Sequence, residues 1–226
     1  MTIINQLRPT ASTKTMLKHE TDIHLKSHFA DILKYQSFQK IDQEHFHVLA
    51  TLLEDAIPEG VEILLNYLQY LQGKEHISIN RNEVEQYMHS LLHAERNEQY
   101  YENITSFFNV LIDKKYPVCK LLTAFNQIHF YFQTILLSKK GMRPNRCLEL
   151  MTSLQKGVNI EQQLLIDMSN KQLLEVNAIN ISNLINKNTE IMFMRDFLSK
   201  LDTQDHQILN IKAASEELSV SVDEVA

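Results

Sequence analysis

The chain has 226 residues, a formal net charge of −6 and only 4 Gly and 4 Pro, where average usage would give roughly 16 and 11. A strand-rich fold needs turn signals about every 8–12 positions, so this scarcity excludes one and leaves an all-α chain. No basic run exceeds two residues, which removes the concentrated positive surface that nucleic-acid binding requires.

No run approaches the roughly 18 apolar residues of a membrane-spanning helix, and no charged-then-apolar leader opens the chain; a cytoplasmic protein is expected. In that reducing setting Cys119 and Cys147 are expected to be small buried hydrophobes. Residues 1–15 are polar, contain Pro9 and lack an apolar period, which predicts a disordered start. A first helix is expected from Met16 to about Tyr35, on Leu17, Ile23, Phe29, Ile32 and Leu33. The next begins near Asp42, a candidate N-cap, and carries Phe46, Leu49, Leu52, Leu53 and Ile57. Pro58 suits the first turn of a third helix, through Val61, Leu64, Leu65, Leu68 and Leu71 to a stop at Gly73.

After a polar break at 73–82, a helix rich in His, Glu and Gln is expected over about 83–98, and a shorter apolar one over 100–114. Pro117 opens a strongly apolar helix to about Lys139; the turn at 141–145 leads to another over about 145–169. Beyond Gly157 there is no Gly or Pro for 69 residues, far more than the helix mean of about 12. From Phe197 the steps alternate four and three through Leu201, Gln204, Ile208, Ile211, Ser215, Leu218, Val222 and Val225, a coiled-coil seam. An earlier seam, Leu174, Ala178, Ile181, Ile185, Asn188 and Met192, has a different phase, and the shift near 192–197 acts as a stutter. The expected organisation is a globular helical domain over 16–170 and a helical linker and coiled-coil stalk over 171–226.

Two stretches carry a resemblance. The segment ILNIKAASEELSVSVDEVA (208–226) looks like the start of the cytoplasmic coiled coil of methyl-accepting chemotaxis proteins. The region 30–170 resembles the sensor domain of globin-coupled sensors, of the heme-based aerotaxis transducer kind. The residues that carry it are FHVLATLLEDAIPEGVEILLNYLQYL (46–71) as the A–B pair, PVCKLLTAFNQIHFYFQTILL (117–137) as the G helix and GVNIEQQLLIDMS (157–169) near the end of the H helix. The resemblance implies a globin-like fold and a homodimer through the G and H helices and the stalk. It also implies either a chemotaxis kinase or adaptor reached through a longer transducer, with this chain a fragment of it, or signalling by mixing with other coiled coils.

The family's proximal heme histidine falls in ITSFFNVLID (104–113), around Phe108 to Leu111, and no His lies between His93 and His129. The distal Tyr falls on Leu68, beside Tyr67, and the distal Thr near Ser90. The expectation is therefore a heme-free sensor, resembling the stressosome and sporulation-control domains that kept the fold and lost the cofactor. Its pocket for an apolar small molecule is expected at Leu64, Tyr67, Leu68, Ser90, Leu91, Phe107, Phe108, Leu111 and Phe125. Two alternatives stand beside it: a heme-based oxygen or gas sensor for aerotaxis using His93 or His129, and a ligand-free interaction module.

His89 and His93, four apart, share a helical face and offer two metal ligands, with Glu85 one turn before. Solvated histidines and no metal are the expectation. His129 reads as a core or interface histidine, and His45 and His47 are expected to alternate outward without a role. No carboxylate pair sits in a readably apolar setting, and neither a Ser–His–Asp nor a Gly-rich phosphate motif is present, so no catalysis is expected.

Overall fold

The computed structural model describes residues 19–72, 79–141 and 143–225, and every regular element among them is helical. Among the described residues seven α-helices follow one another: α1 Phe29–Tyr35, α2 Lys40–Leu53, α3 Ile57–Gln72, α4 Arg81–His93, α5 Glu98–Asp113, α6 Val118–Lys140 and α7 Pro144–Val225. A single 3-10 turn, Glu54–Ala56, joins α2 to α3. No helix among the described residues is long and apolar enough to cross a membrane. The expected disordered segment 1–15 lies outside the described residues, as do Gly73 and most of the polar break.

Among the described residues the first helix starts later than its apolar pattern predicts, because Thr21 competes for the backbone ahead of it; the expected start at Met16 lies outside the described residues. Thr21 Oγ1 donates to Phe38 O at 2.6 Å and accepts from Ile23 N at 3.2 Å. Asp22 Oδ1 accepts from Lys40 N at 2.8 Å. Residues 19–28 are thereby held outside regular helix, and α1 starts at Phe29.

Asp42 is not an N-cap. Gln39 takes that position, and Asp42, three residues on, accepts from Gln39 N at 2.9 Å in a capping box. Asn80 and Asn97 cap α4 and α5 through their side chains, accepting from Asn82 N and Tyr100 N, each at 3.0 Å. Pro117 precedes α6 and Pro144 opens α7, where a missing N–H leaves no intrahelical bond unmade.

The α4 helix ends at His93, five residues before the boundary its sequence suggests. Arg96, immediately beyond, donates to Leu91 O at 2.5 Å and to Ala94 O at 2.8 Å. A guanidinium thus takes carbonyls that the end of a helix leaves without partners.

The chain divides into two units, Met1–Lys171 and Gln172–Ala226. In the first, α3 packs on α4 and α6, α2 packs on the same two helices, and α4 packs on α5. One core runs through Phe29, Phe46, Leu49, Leu64, Leu68, Phe108, Phe132, Leu150 and Leu154. In the second unit every side chain from Gln172 to Glu216 is exposed. Cys147 is buried as expected, whereas Cys119 is exposed on the first turn of α6.

Candidate functional site

A cleft of about 560 Å³ lies between α4 and α5, a size typical of small-molecule sites. From α4 come Glu83, Gln86, Tyr87, His89 and Ser90; from α5 come Asn103, Ile104, Ser106, Phe107 and Val110. Tyr87 and Phe107 stack at 4.6 Å with 15° between their planes. Behind them Phe108 and Phe125 pack at 5.7 Å, and both rings also meet Tyr87, at 6.2 and 5.5 Å. Glu83, on the cleft wall, has Oε2 buried without a hydrogen-bond partner.

Of the residues expected to line a pocket, Ser90 and Phe107 border this cleft. Leu64, Leu68, Leu91, Phe108, Leu111 and Phe125 are buried in the core, and Tyr67 is packed against it half-buried. The segment around Phe108 to Leu111, where the resemblance would place an iron ligand, turns Phe107, Phe108, Leu111 and Ile112 inward. His129 is buried on α6, and its Nε2 accepts from Gln133 Nε2 at 3.0 Å; burial lowers its pKa. His93 is partly exposed and reaches Glu54 at 2.7 Å instead.

Sequence reasoning missed the most deeply buried acid. Glu161, on α7, is 3% exposed, and each of its carboxylate oxygens accepts from a buried phenol: Tyr87 at 2.6 Å and Tyr100 at 2.5 Å. Desolvation raises the Glu161 pKa, while the two phenols and the nearby Arg96 charge pull it down. Burial first, then the Glu161 charge, lifts both tyrosines well above their ordinary value and keeps them protonated donors. A signal for Glu161 does exist: it interrupts the buried row Leu150, Leu154, Gly157, Glu161, Leu164 on one helix face.

Arg96 completes this assembly from a loop. Its guanidinium lies 3.8 Å from the Phe46 ring centroid and 4.7 Å from that of Tyr100, so two aromatic faces shield the buried charge. Gly157 makes room for it, since a Cβ there would run into the Phe46 ring and come within 3.3 Å of the guanidinium.

A second buried polar network contradicts the expectation that His45 points outward. His45 is 7% exposed. Its Nδ1 lies 2.8 Å from Ser153 Oγ, which donates to Asp42 Oδ1 at 2.7 Å, while Lys156 Nζ donates to Asp42 Oδ2 at 2.7 Å. Arg146 donates to Nε2 at 2.8 Å, so His45 is neutral with its proton on Nδ1. Burial and then the Arg146 charge lower its pKa. Serine here stands between His and Asp, and the carboxylate therefore cannot orient the imidazole as a nucleophile's base requires. The network ties α2 to α7. His47, by contrast, is exposed.

His89 and His93 stand side by side with ring centroids 5.6 Å apart. Glu85 does not join them; it accepts from Arg81 Nε at 2.8 Å. Glu54, from the 3-10 turn, does: one ligand atom from each of Glu54, His89 and His93 lies within 4.8 Å of the others.

No protein-family model matches this chain, and none of the curated proteins compared with it does.

Proposed function

We propose that this chain is a heme-free, globin-like sensor in which a small, largely apolar molecule in the α4–α5 cleft changes helix packing, and α7 passes that change into a coiled coil. One observation carries the reading. Tyr87 stacks on Phe107 at the cleft and, through its hydroxyl, holds Glu161 on α7 at 2.6 Å. A ligand that displaces the ring therefore changes a buried charge-assisted hydrogen bond on the helix that continues to Val225. Such a ligand acts only through a difference in affinity between two packings, and packed helical interfaces switch discretely.

The unpartnered Glu83 oxygen favours a ligand with one hydrogen-bond donor on an otherwise apolar body. The inward-facing Phe107, Phe108 and Leu111 supply no iron ligand where the resemblance would need one, and His93 and His129 have other partners. These residues do not fit a heme. Exposure of Leu174, Ile181, Ile185, Met192, Phe197, Ile208 and Ile211 supports a second copy of the chain as the partner along the stalk. The α6 helix adds exposed Phe130 and Leu137, in keeping with a dimer through α6 and the first part of α7.

Native mass spectrometry of the whole chain purified from cells tests the reading. A co-purifying small molecule is expected, and the cleft-blocking S106W should lose it. A chain carrying no such mass would favour an interaction module. A Soret band abolished by H93A or H129A would favour the gas sensor.

A further inference from the structure

We infer that Glu54, His89 and His93 form a binding site for a divalent cation of the zinc class at the edge of the α4–α5 cleft. The inference does not depend on the sensor reading, because it rests on three side chains outside the hydrophobic core. His89 and His93 are separated by one helical turn, so both imidazoles leave α4 on the same side. The opposite side is anchored by buried Met88, Leu91 and Leu92, which hold that part of the helix against the core. Glu54 reaches the pair from the turn after α2, anchored by the fully buried Leu53 beside it.

The donor set selects the ion. Two imidazoles and one carboxylate suit zinc, copper or nickel, whereas calcium and magnesium take oxygen ligands. Metal–ligand bonds of about 2.0–2.2 Å at tetrahedral angles place neighbouring donor atoms about 3.3 Å apart. The three donors already fall within 4.8 Å of one another, with Glu54 and His93 at 2.7 Å, so side-chain rotations alone bring all three into range. A cation at this position also meets the negative end of the α4 dipole, because His93 is the last residue of that helix. Three protein ligands leave a tetrahedral ion one position for water. His89 also lines the cleft, which puts that position within reach of a donor atom on a cleft ligand.

Calorimetry with zinc chloride and absorbance with cobalt(II), on the whole purified chain, test the site. One ion per chain is expected, with the visible bands of tetrahedral cobalt. H89A and H93A should each weaken zinc binding at least about 10-fold and E54Q less, while H47A, an exposed histidine elsewhere, should change nothing. Circular dichroism checks that helicity is retained. Histidine-selective NMR of the unaltered chain provides an independent readout, with zinc shifting two imidazole spin systems of the ten. Zinc affinity unchanged by H89A and H93A, loss caused by H47A, or shifts spread over other histidines would overturn the site.

Discussion

Tyr87 and Glu161 are 74 residues apart in sequence and joined by a 2.6 Å hydrogen bond that water does not reach. The bond fastens α4, which forms one wall of the cleft, to α7, and Tyr100 fastens α5 to the same carboxylate. One acid therefore gathers both cleft walls onto one helix.

Y87F removes one of the two phenol donors without changing ring packing. A hydrogen bond to a charged group contributes about 1.5–3 kcal/mol, and urea denaturation should show a loss in that range. Y100F should behave alike. The double variant should lose more than the sum of the two, because a buried carboxylate is then left with no phenol donor. A loss below about 0.5 kcal/mol for either single change would mean that the network is not closed in solution.

The raised pKa of Glu161 sets the direction of its pH effect. The folded chain holds this proton more tightly than the unfolded chain, whose Glu titrates near 4.5. Glu161 therefore makes its best contribution in acid and loses it as pH climbs from that value toward the folded one. E161Q, which carries no titrating proton, should flatten the decline in denaturation midpoint over that interval. An unchanged slope would assign the dependence elsewhere.

His45 acts in the opposite direction. Its folded pKa lies below the ordinary value of 6.5, so the unfolded chain takes up the proton first. Stability is then fully present above about 6.5 and falls as the pH drops through that value toward the folded pKa. H45N keeps a donor toward Ser153 and cannot titrate. It should be less stable than the parent at pH 8 yet lose less on acidification, as read by thermal melts across the same range.

Gly157 sits inside a helix, where alanine would ordinarily gain about 1 kcal/mol. The added Cβ collides with Phe46, whose ring cannot retreat because Arg96 covers it at 3.8 Å. Overpacking costs about 1–3 kcal/mol, so G157A should be net destabilising. R96A, expected to lose more than G157A on its own, should make the glycine substitution less harmful by emptying the space beside the ring. A stabilised G157A would show that Phe46 has room to turn.

Much of the helical order was legible because it is local. Apolar residues three and four apart gave α3, α5 and α6 to within about two residues, with Pro117 opening α6. The same pattern overran at the start of α1 and at the end of α4, where it could not register competing bonds. Thr21 takes the Ile23 N–H before α1, and Arg96 covers the carbonyls at the end of α4. The polar sites fared differently. His89 and His93 were readable as a pair, but their acid comes from Glu54, 35 residues before His89 by number, rather than from nearby Glu85. His45 looked like an exposed partner of His47 and instead meets Ser153, 108 residues away.

Composition and helical period by themselves determine a helical chain with a long C-terminal helical stretch free of Gly and Pro beyond Gly157, since each depends only on neighbours within a turn or two. Tertiary packing alone decided that Glu161 would hold two tyrosines, that Arg96 would be buried between aromatic rings, and that Glu54 would reach two histidines. Those meetings join side chains on separate helices, and a helix's own sequence does not state which neighbour will cover its face.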